Sequence, residues 1–264
     1  MFYERDRYQY DKNQLLEVIC QLRFPTILSI SAREPAEFQE AIRDEFPQYK
    51  QLEERPAPKV SGMPGNLRVE EQKAVTNYQF LSADNRWKVN LTNSFIALAT
   101  PRYTVWEDFA AKLDKVLAGF IPIYKPAYFE RVGLRFINAF SRRALGLEGV
   151  LFRDLFQPGY VGLLGDEDVQ EGAFARYGQD VEMKLPGGCS AKLHAGPGMV
   201  QFQRSKNKDD EVKFILDIDV YMNGNVPIKT CVPALNTVHI HADRIFAGAL
   251  TKQLHEAMEP RERL

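Results

Sequence analysis

The sequence predicts an α+β protein made of two related units, each a strand, a helix, a strand meander and a second helix. Three observations predict it. Segments 16–24 and 128–140 alternate apolar and polar residues with the period of two that a strand buried on one face requires. Segments 104–120 and 234–258 carry apolar residues at helical spacing. Three short motifs recur in the same order in both halves of the chain. A long amphipathic helix lying on an antiparallel sheet buries both apolar faces at once.

Residues 1–14 are polar and Tyr-rich and read as an N-terminal arm. In the first strand Val18, Cys20, Leu22 and Phe24 alternate with Glu17, Ile19, Gln21 and Arg23. Pro35 suits a first helical position, Phe38, Ala41, Ile42 and Phe46 follow at helical spacing, and Pro47 ends the run. The Pro- and Gly-rich stretch 55–66 reads as a loop. Strands are expected at about 67–81, 86–92 and 95–101, separated by polar turn formers. Trp106, Phe109, Leu113, Val116, Leu117 and Phe120 mark the next helix, closed by Pro122. The strand at 128–140 opens the second half. A short helix near 148–156 follows, then three or four strands over about 174–232. Their turns are read at Pro186-Gly187-Gly188, at Gly196-Pro197-Gly198, in the polar run Ser205 to Asp210, and at Asn223-Gly224, a strong hairpin signal. One helix is expected over 234–258.

The recurring motifs are these. Leu22-Arg23-Phe24 matches Leu134-Arg135-Phe136. Ile42-Arg43-Asp44-Glu45-Phe46 matches Phe152-Arg153-Asp154-Leu155-Phe156. Phe109-Ala110, Leu113, Lys115 and Leu117 match Phe246-Ala247, Leu250, Lys252 and Leu254. The chain then divides into the arm, a first unit at 15–126 and a second at 127–264, the latter enlarged by a strand insert at about 160–212. Internal duplication of this kind implies a helix-grip or TATA-binding-protein-like saddle.

The segment from Leu16-Glu17-Val18 to Leu22-Arg23-Phe24, the Phe38 helix, and the closing Leu235-Asn236, His239, Phe246 and Thr251 resemble a sporadically distributed bacterial family of uncharacterised proteins of this length. The resemblance spans the chain. The family has no established activity or assigned catalytic residues to carry over, and no cofactor is expected. The patchy distribution of such genes implies an accessory role, as in mobile-element, defence or immunity and antitoxin loci.

Charge removes one class of function. The 264 residues hold 34 Lys and Arg against 35 Asp and Glu, a net charge of −1. That balance argues against a chain-wide grip on nucleic acid or anionic membrane. Cys20, Cys189 and Cys231 are few and scattered, which fits a reducing compartment, with Cys189 expected to be the most exposed. No apolar run approaches the ~20 residues of a membrane helix, and the charged N-terminus lacks a signal-peptide core, so a cytoplasmic location is expected.

The candidate chemistry is sparse. His239-Ile240-His241-Ala242-Asp243 resembles a metal-ligand run, but on a helix the two imidazoles point about 200° apart and cannot share an ion. No metal site is therefore expected, and His239 reads as a core residue with Asp243 as its polar partner. No nucleophilic triad or phosphate loop is convincing, so no catalytic residue is assigned, and the chain leans towards a non-enzyme. Asp166-Glu167-Asp168 reads as a solvated loop. The repeat singles out Gln21, Arg23, Arg131 and Arg135, which strand parity places on the sheet face away from the helices. There they would either contact a partner or form cross-strand ion pairs with Glu17 and Glu130. The favoured expectation is a protein that binds a protein partner or a second copy of itself. The second is a pocket under the long helices lined by Trp106, Phe109, His239 and Phe246, serving a small ligand or an enzyme. The weakest is nucleic-acid binding through the arginine face.

Overall fold

The computed structural model describes residues 2–54, 59–63, 66–70, 74–200 and 209–263. In chain order its first half contains β1 (Tyr8–Tyr10), β2 (Leu15–Arg23), α1 (Leu28–Ala32), α2 (Ala36–Ile42) and β3 (Gln48–Glu54). It continues with β4 (Lys59–Met63), β5 (Asn66–Glu70), β6 (Val75–Leu81), β7 (Lys88–Leu91), β8 (Phe95–Thr100) and α3 (Trp106–Tyr124). The second half contains β9 (Phe129–Phe140), α4 (Arg142–Leu145), α5 (Phe152–Leu155), α6 (Pro158–Val161), β10 (Gln179–Lys184) and β11 (Cys189–Gly198). It closes with β12 (Lys213–Val226), α7 (Cys231–Ala249), α8 (Lys252–Ala257) and β13 (Pro260–Arg263).

The architecture is α+β. Nine strands form one antiparallel sheet in the order β10-β11-β12-β9-β2-β8-β7-β6-β3. β2 and β9 sit at the centre of this sheet and pair with each other. Their alternation decides which face is buried. Val18, Cys20, Leu22, Val132 and Leu134 are fully buried, whereas Arg23 and Arg135 are exposed. The buried parity continues outward through Leu98, Val89 and Phe80 on one side and Leu216, Ile218, Val220 and Ala191 on the other. These residues, with the apolar stripes of α3 and α7, make one continuous core.

The long helices are held by identifiable means. Glu107 and Asp108 lie in the first turn of α3, where the helix dipole favours acidic groups. The helix continues through Pro122, instead of closing there, and ends when Lys125 adopts φ 47° and donates its N–H to the Ile121 carbonyl. A proline so close to the end removes only a terminal hydrogen bond. Lys112 and Lys115 both pair with Glu45, tying α3 to the turn after α2.

The single helix expected over 234–258 is two. Leu250 leaves the helix at ψ 137°, bridges to Phe156, and Thr251 caps α8 by accepting from the Leu254 amide. A tertiary pairing overrides local helix propensity here. Asn223-Gly224 is not a hairpin either. Gly224, at φ 112°, belongs to an irregularity in the β12–β9 ladder, where the register shifts between Asn223 and Val226. Gly196-Pro197-Gly198 lies within β11, paired to Ile215, Phe214 and Lys213, so it is no turn. The turn at Pro186-Gly187-Gly188 does join β10 to β11. Within the stretch expected as a loop, Lys59–Met63 forms β4 and pairs with β5. Glu54 stands opposite Val75 and Lys59 opposite Glu70, so β4–β5 keeps the register of β3–β6. The turn read at Ser205 lies mostly outside the described residues.

The N-terminal arm is ordered as a strap. Its β1 pairs with β13 near the C-terminus, and the Tyr10 hydroxyl lies 2.9 Å from His255 Nδ1. All three cysteines are buried and free, including Cys189, whose side chain packs inward from β11. Among the described residues no helix is long and apolar enough to cross a membrane.

Candidate functional site

Among the described residues the long helices pack on one face of the sheet and leave the other without helices. The open face is built from the outward residues of nine strands, and its two halves differ chemically. At its centre Arg23 stands directly opposite Arg131, and Gln21 opposite Gly133. Like charges facing each other across a ladder are unfavourable. The Arg131 side chain resolves this by folding back across Gly133, where any Cβ would collide with its guanidinium. It reaches Asp219 with two hydrogen bonds of 2.7 and 2.8 Å and stacks on the Tyr221 ring, 4.6 Å from its centroid. Arg131 uses Nη2 alone for both bonds, whereas Arg135 makes a true bidentate pair to Asp217, Nε and Nη2 donating at 2.8 and 2.5 Å. That hydrogen-bonded carboxylate raises the Arg135 pKa further. The ion-pair partners are thus aspartates on β12 rather than Glu17 and Glu130. They arise from a strand distant in sequence, which parity within one strand could not reveal.

The ladder continues to the sheet edge. Tyr221 donates to Glu182 at 2.7 Å, Lys192 pairs with Glu182 at 3.7 Å, and His194 Nδ1 lies 2.9 Å from Asp180. A groove on this edge is lined by Arg135, Asp180, Lys192, His194 and Asp217. The other half of the face has mostly small and amide side chains, with one long ion pair, Lys88 to Glu17 at 3.9 Å. Ala97 and Ala99 flank Gln21 and Ile19 on β8. Asn77 and Gln79 both donate to Asn90 Oδ1, at 3.4 and 3.1 Å. Arg23 is exposed, and among the described residues it makes no ion pair.

The four residues expected to line a pocket under the helices are separated. Trp106 and His239 stack at 4.3 Å with an interplanar angle of 10°, and Trp106 also stacks on Phe109. Trp106, Phe109 and His239 are all buried in this junction between α3 and α7. Trp106 Nε1 donates to Asn236 at 3.3 Å. Phe246 instead lines a cleft of about 240 Å³ between α7, β9 and the strap. Its walls include Tyr8, Tyr10, Tyr103 and Phe136, and Asp243 lies on it.

Asp243 is not the hydrogen-bond partner of His239. Its Oδ1 is 4.0 Å from His239 Nε2, while its Oδ2 is 2.6 Å from Arg7 Nε on the strap. Burial pushes the Asp243 pKa up to about 6 despite Arg7. Burial, aided by Arg7, pulls His239 down to about 3, so its ring is neutral near pH 7. His241 points elsewhere and donates to the Pro186 carbonyl at 3.0 Å. Among the described residues no cluster of three or more His, Cys, Asp or Glu is placed to hold a metal ion.

Fold and site together define a class: an α+β protein with a broad antiparallel sheet, long helices on one side and a patterned polar face on the other. No protein-family model matches the chain. No curated protein matches it either.

Proposed function

We propose that this is a non-enzymatic interaction protein that offers the open face of its sheet to a protein partner. The observation that carries the reading is the state of that face. Its central and second-half charges are locked in ion pairs, and beside them lies a mostly uncharged area around Gln21, over the buried Ala97 and Ala99, with Arg23 exposed at its edge. Prepaired charges give orientation and selectivity without leaving isolated charges to be desolvated. The same pairing disfavours the nucleic-acid reading, since Arg131 and Arg135 are already neutralised.

The sheet order also supports an internal duplication. Aligning Leu22-Arg23-Phe24 with Leu134-Arg135-Phe136 makes Gln21 the equivalent of Gly133, and these residues stand opposite each other. A local twofold axis through that pair relates β8 to β12, β7 to β11 and β6 to β10, leaving β3 as an addition. The third motif supports it less well, because the helix that holds it in the first half is broken at Leu250 in the second. A saddle of the TATA-binding-protein type is the arrangement this suggests. We place the protein in the reducing bacterial cytoplasm, in keeping with three free cysteines, and in an accessory system of the mobile-element, defence or immunity and antitoxin kind.

The test is affinity capture from the native host with the wild-type chain and two surface variants. Gln21→Trp adds bulk to the open face at a part-exposed position, and Asp114→Arg alters the exposed side of α3. A partner held by wild type and Asp114→Arg but lost from Gln21→Trp is the expected outcome. Equal capture by all three proteins contradicts the reading. Capture of nucleic acid that is lost steeply with salt favours the arginine-face alternative instead.

A further inference from the structure

We propose that the cleft under the N-terminal strap binds a small amine or guanidine compound, with Asp243 as the counter-charge and Arg7 as the resident cation that the ligand replaces. The proposal is independent of the open sheet face.

Asp243 is an incompletely satisfied carboxylate. Arg7 is close to Oδ2 but not aligned as a hydrogen bond, and buried Oδ2 has no other partner among the described residues. Oδ1 faces His239 Nε2 at 4.0 Å, beyond hydrogen-bond reach, and that nitrogen, on a side chain only 4% exposed, is also without a partner there. Arg7 supplies charge at 2.6 Å but poor alignment, so a better-aligned cationic donor strengthens the hold on this carboxylate. Neutral His239 supplies no positive charge, so the charge complement has to come from the strap or from a ligand.

The walls suit a cation. Five aromatic rings, Tyr8, Tyr10, Tyr103, Phe136 and Phe246, line the cleft. Ring faces attract ammonium and guanidinium groups and also accept an apolar stem. The volume of about 240 Å³ equals roughly eight waters in the liquid, enough for a compound on the order of ten heavy atoms. Arg7 shows the binding mode by already placing a guanidinium against Asp243. It also has somewhere to go, because Glu107 lies 3.6 Å from its Nη1 and is itself exposed.

Two further arginines border the cleft and define the rival ligand, a small carboxylate. Arg244 is 3.5 Å from Glu4, and Arg5 donates to the Ala247 carbonyl at 3.4 Å. An anion bound there would leave Asp243 unsatisfied and facing a like charge.

Isothermal titration calorimetry on the full chain distinguishes these cases. The probes are agmatine and phenethylamine, with phenylacetate as the anion control, on wild type, Arg7→Ala and Asp243→Asn. We expect the amines to bind, Arg7→Ala to tighten them about tenfold by removing the internal competitor, and Asp243→Asn to weaken them at least tenfold. Phenylacetate should bind none of the three. Failure of Arg7→Ala to bind either amine overturns the proposal, as does preferential binding of phenylacetate. Unchanged amine affinity in a cooperatively melting Asp243→Asn does so too. Should Asp243→Asn not melt cooperatively, the Arg7→Ala result alone decides.

Discussion

The two sides of the open sheet face carry different chemistry. Arg131 and Arg135 of β9 face outward and reach Asp219 and Asp217 of β12. On β2, β8 and β7 the outward positions include Ile19, Gln21, Arg23, Ala97, Ala99, Lys88 and Asn90. One sheet therefore presents a densely ion-paired surface beside a mostly uncharged one. Beneath both lies a single core, so the difference between halves is confined to the layer that meets solvent.

If that core is truly shared, damage to its centre must affect both halves equally. Trp106 joins α3 to α7 through its stack on His239 and its bond to Asn236. Trp106→Ala is expected to cost about 3–5 kcal/mol, with one cooperative unfolding transition. Hydrogen exchange in β8 and β12 should accelerate by the same factor. Protection lost in only one of them would show two independently folding halves.

The charged half should be more sensitive to substitution than the neutral half. Arg131→Ala strands Asp219, which is only 24% exposed, and is expected to destabilise by about 2 kcal/mol in denaturant titrations. Arg135→Ala strands Asp217, which is only 16% exposed, and is expected to cost about 2 kcal/mol as well. Asn90→Ala, which removes neutral amide bonds, should cost about 1 kcal/mol. Equal losses for Arg131 and Asn90 would erase the distinction between the two halves.

The cleft adds a pH dependence of its own. The folded-state pKa of Asp243 is raised from 3.8 to about 6. Between those values the folded protein holds a proton that the unfolded chain has lost, so this group's contribution to stability falls as pH rises from about 4 to 6. His239 acts in the opposite sense. Its pKa is lowered from 6.5 to about 3, so stability declines as pH falls below about 6.5. Melting curves of Asp243→Asn should match wild type near pH 4 and lie above it at pH 7. A variant that is less stable than wild type at pH 7 would mean that the Arg7 pair outweighs the burial of the carboxylate.

Much of the fold is legible in the sequence because it rests on local periodicity. The alternation around Cys20 and Leu134 identifies the two central strands and their exposed arginines, and the Phe109 stripe identifies α3. What escapes notice depends on distant partners. Thr251 is a weak capping signal next to Leu250, but the break itself is fixed by the distant pairing with Phe156. Asn223-Gly224 has hairpin chemistry, but the pairing of β12 with β9 uses it as a bulge. Of the cleft, only the His239–Asp243 spacing and the charged arm are visible. Arg7 reaches Asp243 across 236 positions, and no spacing rule connects them. The aspartates that neutralise Arg131 and Arg135 are hidden for the same reason.

The most direct measurement of the central claim is site-specific photo-cross-linking in the native host. A benzoylphenylalanine at Gln21, on the open face, is compared with one at Asp114 on the exposed side of α3. The account predicts one defined protein adduct from position 21 and none from position 114. Adducts from position 114 alone, or none from position 21 under any growth or stress condition tried, would contradict it.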